Sequence, residues 1–301
     1  MEPMGIIYAI FTVLAWGTWL APSQKVDLPN SQARALYIAL GNLILAAVAL
    51  VVVGVNKLSG QIFLLPFLGG LIWAVSGICA FVATKHIGMA KAFGTWAPLN
   101  IIVAIIWGIV LFDSDKAQFM QPKAVLLVGV IIGGILMIIF SGGTGSKEQG
   151  KNPLLGYAGA LGAGILWGTY WIPSSYLSQR VENVSDWVTA FPLAVGMFVG
   201  SAILVALSRK APKCKNPVDY ARVLSSGALW SIGNFSMLLM ASKIGMGKGG
   251  TIAQLCVVVN AVVGILIFKD PPPKSKAAAM TFVGVVIAMI GAIALANIKG
   301  S

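Results

Sequence analysis

The sequence predicts an all-α integral membrane protein with ten transmembrane helices in two inverted five-helix repeats. Three observations carry that expectation. Of 301 residues, 58% are hydrophobic and only 10% are charged, whereas a soluble domain carries about a quarter charged residues. Apolar runs near the ~20 residues needed to span a bilayer recur along the whole chain. The two halves also carry matching motifs in the same order.

The runs are taken in turn as 4–22, 33–54, 62–84, 89–112, 121–141, 153–175, 185–208, 219–242, 248–268 and 276–298. Pro22 and Lys25 close the first, Arg34 and Gly54 bound the second, and Lys85 follows the third. Asp113 ends the fourth, and Pro122 and Gly142 bound the fifth. Pro153 opens the sixth, Asp186 and Arg209 bound the seventh, and Asp219 and Lys243 bound the eighth. Lys248 and Lys269 bound the ninth, and Lys276 and Lys299 bound the tenth. Nearly all of the nine carboxylates fall between these runs or at their ends, as expected where a charge at the bilayer centre costs at least ~2.5 kcal/mol. No positive charge precedes the first run, so it reads as a retained helix rather than a secretory signal.

The stretch from Ser141 to Lys151 reads as a flexible linker at mid-chain. It divides the chain into a first repeat at 1–145, a linker at 146–152 and a second repeat at 153–301. At an offset of 151, Trp16-Gly17-Thr18-Trp19-Leu20-Ala21-Pro22-Ser23 meets Trp167-Gly168-Thr169-Tyr170-Trp171-Ile172-Pro173-Ser174, with five of eight positions identical. At an offset of 157, Gly70-Leu71-Ile72-Trp73 meets Gly227-Ala228-Leu229-Trp230, Lys91 meets Lys248 and Asp113 meets Asp270. Five spans per half is an odd number, so the second half enters from the opposite side. Inverted repeats underlie alternating access, with substrate near the midplane between the halves.

Charge and motif content exclude several functions. The net charge of +12 resides in short connections, where lysine and arginine set orientation rather than bind nucleic acid. Counting fourteen basic residues on one face against seven on the other places both termini outside, in the cell membrane. His86 is the only histidine and reads as a loop residue, which leaves no Ser-His-Asp constellation. Cys79, Cys214 and Cys256 are widely spaced, so no metal site, cofactor or catalytic residue is expected. No phosphate-binding GxxxxGK[ST] loop is present, and Gly245–Gly250 reads as a turn. Asp186, at the start of the seventh span, is the one candidate for coupling to a proton. A helix-start carboxylate also suits the helix dipole.

The interior that remains is uncharged, polar and aromatic. It contains Trp73, Asn100, Trp230, Asn234 and Gln254, together with Trp16, Trp19, Trp167 and Trp171. Amides offer paired donors and acceptors to ring hydroxyls, and indole faces cover the apolar side of a pyranose. Amides also join helices to one another, for about 0.6 kcal/mol on average. Trp16, Gly17, Pro22, Trp167, Gly168 and Pro173 read as hinge or packing positions, and Pro98 as a kink.

At these residues the chain resembles the glucose/ribose porter family of the drug/metabolite transporter superfamily. The stretch Gly227-Ala228-Leu229-Trp230-Ser231-Ile232-Gly233-Asn234 resembles the family's G-x-x-W-x-x-G-N helix, and Ile252-Ala253-Gln254-Leu255 its S-Q-L element. The first half matches through Trp16-Gly17 and Gly70–Trp73. The resemblance implies ten helices in two inverted halves and sugar uptake, often linked to protons. It carries over to Trp73, Trp230, Asn234 and Gln254. The chain departs from the family in Phe112-Asp113, in Lys269-Asp270 with Pro271–Pro273, and in Lys91 and Lys248. These departures bear on the substrate more than on the fold.

The expectation is a secondary transporter that moves a neutral, glucose-like monosaccharide by alternating access, with Trp73, Asn100, Trp230, Asn234 and Gln254 on the substrate. Its partners are that small molecule, membrane lipid and a proton or other coupling ion. The alternatives are an exporter of amino acids, drugs or other metabolites on the same fold, a non-transporting scaffold or sensor, and a membrane enzyme.

Overall fold

A computed structural model describes residues 3–54, 58–112, 121–141, 152–181, 184, 186–244 and 252–298. These residues form twelve helices: α1 (Pro3–Thr18), α2 (Ala21–Gln24), α3 (Ser31–Val53), α4 (Gly60–Ile87), α5 (Met89–Phe112), α6 (Pro122–Phe140), α7 (Pro153–Trp167), α8 (Ile172–Arg180), α9 (Asp186–Ser208), α10 (Pro217–Ile244), α11 (Cys256–Leu266) and α12 (Lys276–Ala296). No strand occurs among the described residues. Eight helical segments are long and apolar enough to cross a membrane, and α11 is a shorter apolar helix. The chain is a multi-pass integral membrane protein. Large side chains such as Val52, Phe140 and Leu207 point outward on the helix exteriors, where lipid rather than water satisfies them.

Local chemistry starts many of these helices. The side chains of Asn30, Asn152 and Ser275 accept from the backbone N–H of Ala33, Leu155 and Ala278, which satisfies a donor that a helix start leaves orphaned. Pro22 and Pro173 lie in the first turns of α2 and α8, where a missing N–H costs nothing.

Two of the expected runs are interrupted. The first, 4–22, breaks at Trp19-Leu20 between α1 and α2, and the sixth, 153–175, breaks at Gly168–Trp171 between α7 and α8. Both breaks fall at the Trp-Gly-Thr motif. There a Cβ on Gly17 would press on Val259 and the Cys256 carbonyl, and one on Gly168 on Val103 and the Asn100 carbonyl. Pro98, by contrast, sits inside α5, which runs on past it. The ninth run is regular only from Cys256, after a turn at Gln254-Leu255. His86 belongs to the last turn of α4 rather than to a loop, and its Nδ1 accepts from the Asn152 N–H at 3.0 Å. The linker at 146–151, the turn at Gly245–Gly250, and Asp113 and Lys248 lie outside the described residues.

The helices pack as a network rather than in chain order. α4 packs on α9 and α7, α10 on α3 and α1, α5 on α11 and α6 on α12. Glycine permits the closest crossings, because small residues let backbones approach inside a membrane. A Cβ on Gly41 would overlap the Leu224 carbonyl, and one on Gly227 the Ile38 carbonyl, across α3 and α10. A Cβ on Gly196 would overlap the Phe67 carbonyl, and one on Gly70 the Leu193 carbonyl, across α9 and α4.

Candidate functional site

The breaks after α1 and α7 turn tryptophans toward the centre of the molecule. Trp19 lies 4.9 Å from Trp230 and 6.0 Å from Trp167, ring centre to ring centre. Trp73 lies 5.7 Å from Trp230 and 6.4 Å from Trp167, and Trp96 lies 5.2 Å from Trp167. Such separations are those of direct, mostly tilted or edge-on ring contact. All five rings are buried. The indole N–H groups of Trp19, Trp73, Trp167 and Trp230 have no hydrogen-bond partner among the described residues. A buried donor without an acceptor costs roughly 1–3 kcal/mol, so the cluster holds unspent polar capacity.

On one side of the cluster lies a cavity of about 320 Å³. Its walls come from α1, α3, α8, α9 and α10, and include Trp16, Asn42, Trp171, Ser231, Asn234 and Phe235. No charged side chain lines it. The Trp16 indole N–H donates to Asn234 Oδ1 at 3.1 Å. That bond orients the Asn234 amide and leaves its NH2 group for another partner. Phe235 is held flat against Trp187, with ring centres 5.0 Å apart.

On the other side lies a cavity of about 420 Å³ with a different chemistry. Gln24, Asp27, Asn30, Arg34, Lys85 and Asp270 are among its walls. Arg34 donates to the carbonyls of Ser23 and Val26, which clamps the connection between α2 and α3. Asp27 pairs with Lys215. The Lys215 hydrogen bond, then its charge, hold the Asp27 carboxyl below its ordinary range, and the same hydrogen bond raises the Lys215 ammonium. Lys91, in the first turn of α5, is 2% exposed and within electrostatic reach of Asp270. The Asp270 carboxylate rests on Gly88, where a Cβ would collide with it.

A chain of ring contacts joins the two cavities. Phe81 lines the charged one and packs against Trp19 at 6.2 Å. Trp19 packs against Trp230, Trp230 lies 6.3 Å from Trp16, and Trp16 lines the uncharged cavity. A continuous partition of aromatic side chains therefore runs from the wall of one cavity to the wall of the other.

The residues singled out from the sequence are distributed across this arrangement. Asn234 and Trp16 line the uncharged cavity, and Trp73, Trp167 and Trp230 form the partition. Asn100 is half-buried on α5, with its carbonyl against Gly168, and Gln254 is half-buried in the turn before α11. The structure does not bring these two to the wall of either cavity. Asp186 opens α9, and its side chain lies outside the described residues. Sequence reasoning missed Asn42 and Ser175 on the cavity wall. A lone amide inside the apolar run 33–54 was the available signal for Asn42, because an amide is costly against lipid.

The profile of a family described as "Sugar transport protein" matches residues 7–298. A protein of Lactococcus lactis subsp. lactis (strain IL1403), named "Putative sugar uptake protein YxfA", is 26% identical over 98% of both chains. A "Putative sugar uptake protein" of Lactobacillus helveticus is 24% identical over 96% of this chain and 99% of its own. One of Bacillus anthracis is 24% identical over 98% of this chain and 100% of its own. A solved crystal structure superposes over 100% of this chain and 98% of its own, with a TM-score of 0.61 at 17% identity. That likeness is one of fold.

Proposed function

Because this chain belongs to the sugar transport protein family, we propose that it is a secondary transporter moving a neutral, glucose-like monosaccharide across the cell membrane by alternating access. The observation that carries the reading is the uncharged cavity of tryptophan, amide and hydroxyl side chains, separated from a second cavity by an aromatic partition. Amides and serine hydroxyls bond sugar hydroxyls, and indoles cover the apolar ring face. An exporter of cationic drugs fits less well, because no carboxylate lines that cavity.

The proposal includes ten spans in two inverted repeats, 1–145 and 153–301, joined by a linker at 146–152. Paired packing supports it. Gly41 meets Leu224 and Gly227, while Gly196 meets Phe67 and Gly70. Each residue of the first set has its counterpart in the second, at offsets of 155 or 157 residues. The breaks at the two Trp-Gly-Thr motifs, Gly17 on α11 and Gly168 on α5, form another such pair. Trp16, Gly17, Pro22, Trp167, Gly168 and Pro173 are then the hinge and packing positions about which the halves exchange conformations.

In this reading the sugar bonds Asn234 first. Trp73 and Trp230, followed by Asn100 and Gln254, contact it as the partition opens. Both termini lie outside, so the charged cavity faces the cytoplasm and its basic residues follow the positive-inside rule. A proton couples to transport through Asp186.

Counterflow of labelled glucose into proteoliposomes preloaded with unlabelled glucose tests the core of the proposal without an ion gradient. Accumulation that other neutral sugars compete away is the expected result. Absence of accumulation for hexoses and pentoses alike, in vesicles holding folded protein, removes the sugar reading. An imposed pH gradient that leaves uptake unchanged removes the proton.

A further inference from the structure

The uncharged cavity has a second amide on its wall, which donates where that of Asn234 accepts. Asn42 lies on α3, and only 3% of it is exposed. Its Nδ2 donates to Met197 Sδ at 3.3 Å. A thioether sulfur is a weak acceptor, so this bond replaces little of what the amide loses on leaving water. Elsewhere the chain treats its amides better. Asn30 Nδ2 donates to Ser208 Oγ at 3.0 Å and its Oδ1 accepts from the Ala33 N–H at 2.8 Å, and Asn260 Nδ2 donates to an oxygen, the Gly17 carbonyl, at 3.0 Å. Asn42 differs in facing the cavity with a sulfur as its described acceptor.

Its location is equally specific. Asn42 follows Gly41, and its own backbone nitrogen faces Gly227 across the α3–α10 crossing. Met197 follows Gly196, and its backbone nitrogen faces Gly70 across the α9–α4 crossing. The bond between the two side chains therefore spans two of the closest helix crossings in the molecule. It joins α3 to α9 at the edge of the space that Asn234 also lines.

We infer that Asn42 is a substrate-binding residue: its amide leaves Met197 and bonds a hydroxyl of the bound sugar, so that one polyol is held by Asn42 from α3 and Asn234 from α10. This inference rests on the sugar reading and adds a named contact to it. An amide presents a donor and an acceptor side by side, which matches two adjacent hydroxyls of a pyranose. A hydroxyl oxygen is a better acceptor than sulfur, so the exchange favours the loaded state. A cavity of about 320 Å³ falls at the small end of ordinary ligand sites. The ligand class is a neutral polyol of monosaccharide size, since neither amide nor any other wall residue compensates a charge. Breaking the Asn42–Met197 bond removes one side-chain tie between α3 and α9, beside the crossings at Gly41 and Gly196.

The test is equilibrium binding of labelled glucose to the full chain in detergent, for wild type, Asn42→Leu, Met197→Leu and the double variant, with a thermal unfolding midpoint for each. Wild type is expected to bind. Asn42→Leu should raise Kd by roughly tenfold or more, in line with a lost buried hydrogen bond. Met197→Leu conserves volume, a kind of change that cores tolerate, and it removes the acceptor that competes with the sugar. It should lower Kd a few-fold, and should do nothing further in the Asn42→Leu background. A purely structural Asn42 predicts the opposite sign for Met197→Leu, with both single variants weakening binding in parallel with stability. Among monodeoxyglucoses, one analogue should bind poorly to wild type yet match glucose on Asn42→Leu. Unchanged affinity in Asn42→Leu, or weaker binding in Met197→Leu, overturns the role of Asn42 and leaves the sugar reading intact. No binding of any neutral sugar by wild type overturns both.

Discussion

The two cavities on either side of the aromatic partition differ in nearly every physical respect. The smaller is bounded by helix interiors and carries amides, hydroxyls and rings without a charge. The larger is bounded by three connections between helices and carries Arg34, Lys85, Asp27 and Asp270. Charges are tolerable in the second because it lies where helices end and water reaches. For the proposed transporter, the difference teaches that recognition and closure are built from different materials. The uncharged cavity offers directional bonds of modest strength that a neutral ligand can exchange. The charged one has the α2–α3 connection clamped by Arg34, the exposed Asp27–Lys215 pair at its rim, and Lys91 of α5 within electrostatic reach of Asp270 in the α11–α12 connection.

The strongest way to break this contrast is to remove the buried cation beside the charged cavity. Lys91→Ala leaves the Asp270 carboxylate short of its buried counter-charge. A loss of about 3–5 kcal/mol in stability is expected, as for one partner of a buried pair. The unfolding midpoint in detergent reads it, and a change indistinguishable from surface variants such as Lys210→Ala would show that Lys91 is solvated.

Next in size is the partition. Trp19 touches Phe81, Trp167 and Trp230 and is fully buried. Trp19→Ala should cost about 3–5 kcal/mol from lost burial and cavity formation, cushioned where neighbouring rings collapse. It should also make proteoliposomes leak sugar without exchange. Retained tightness of the vesicles, with normal counterflow, argues that the rings are only packing.

The uncharged cavity is sharpened by Asn234→Leu. It removes the acceptor of the Trp16 indole and the proposed sugar contact together. Transport KM should rise roughly 10–100-fold, from about 1.5–3 kcal/mol of polar interaction, while the unfolding midpoint falls by no more than one part-buried unpaired indole N–H costs. A fall in maximal rate at constant KM would place Asn234 outside the binding step.

The smallest effect belongs to the exposed Asp27–Lys215 pair. Its carboxyl is held below the ordinary value of 3.8 and its ammonium above 10.5. The folded form thus binds fewer protons at Asp27 and holds one longer at Lys215. The carboxylate's contribution is present above pH 3.8 and fades as pH falls through its lowered value. The ammonium's contribution is present below pH 10.5 and fades as pH rises through its raised value. At neutral pH, Asp27→Asn should leave the unfolding midpoint unchanged within error once salt is high. A shift that persists in high salt would mark the pair as part of the closure.

Much of the helical layout is legible along the chain, and particular residues show why. Run 33–54 becomes α3 and run 276–298 becomes α12 nearly as drawn, because capping by Asn30 and Ser275 and apolar composition are local properties. The breaks inside 4–22 and 153–175 are less legible. Gly17 and Gly168 read as hinge or packing positions inside continuous apolar runs, and only the contacts with α11, α5 and the ring cluster show what they pack against. The candidate site divides in the same way. Asn234 stands out through its motif and lines a cavity. Asn42 stands in no repeat motif, since the residue 155 positions later is Met197, and its importance lies in what faces it.

The sequence by itself determined that this protein lives in a membrane, that its backbone is helical, and that the polar side chains of its spans are mostly amides, hydroxyls and indoles. Those properties follow from transfer free energies and helix chemistry, which act residue by residue. The tertiary structure alone decided that tryptophans from α4, α5, α7, α10 and the α1–α2 break meet in one partition, that Asn42 meets a sulfur, and that two unlike cavities flank the rings. Those are contacts between residues far apart in the chain. They are selected by which glycine faces admit which backbone, and no local propensity encodes them.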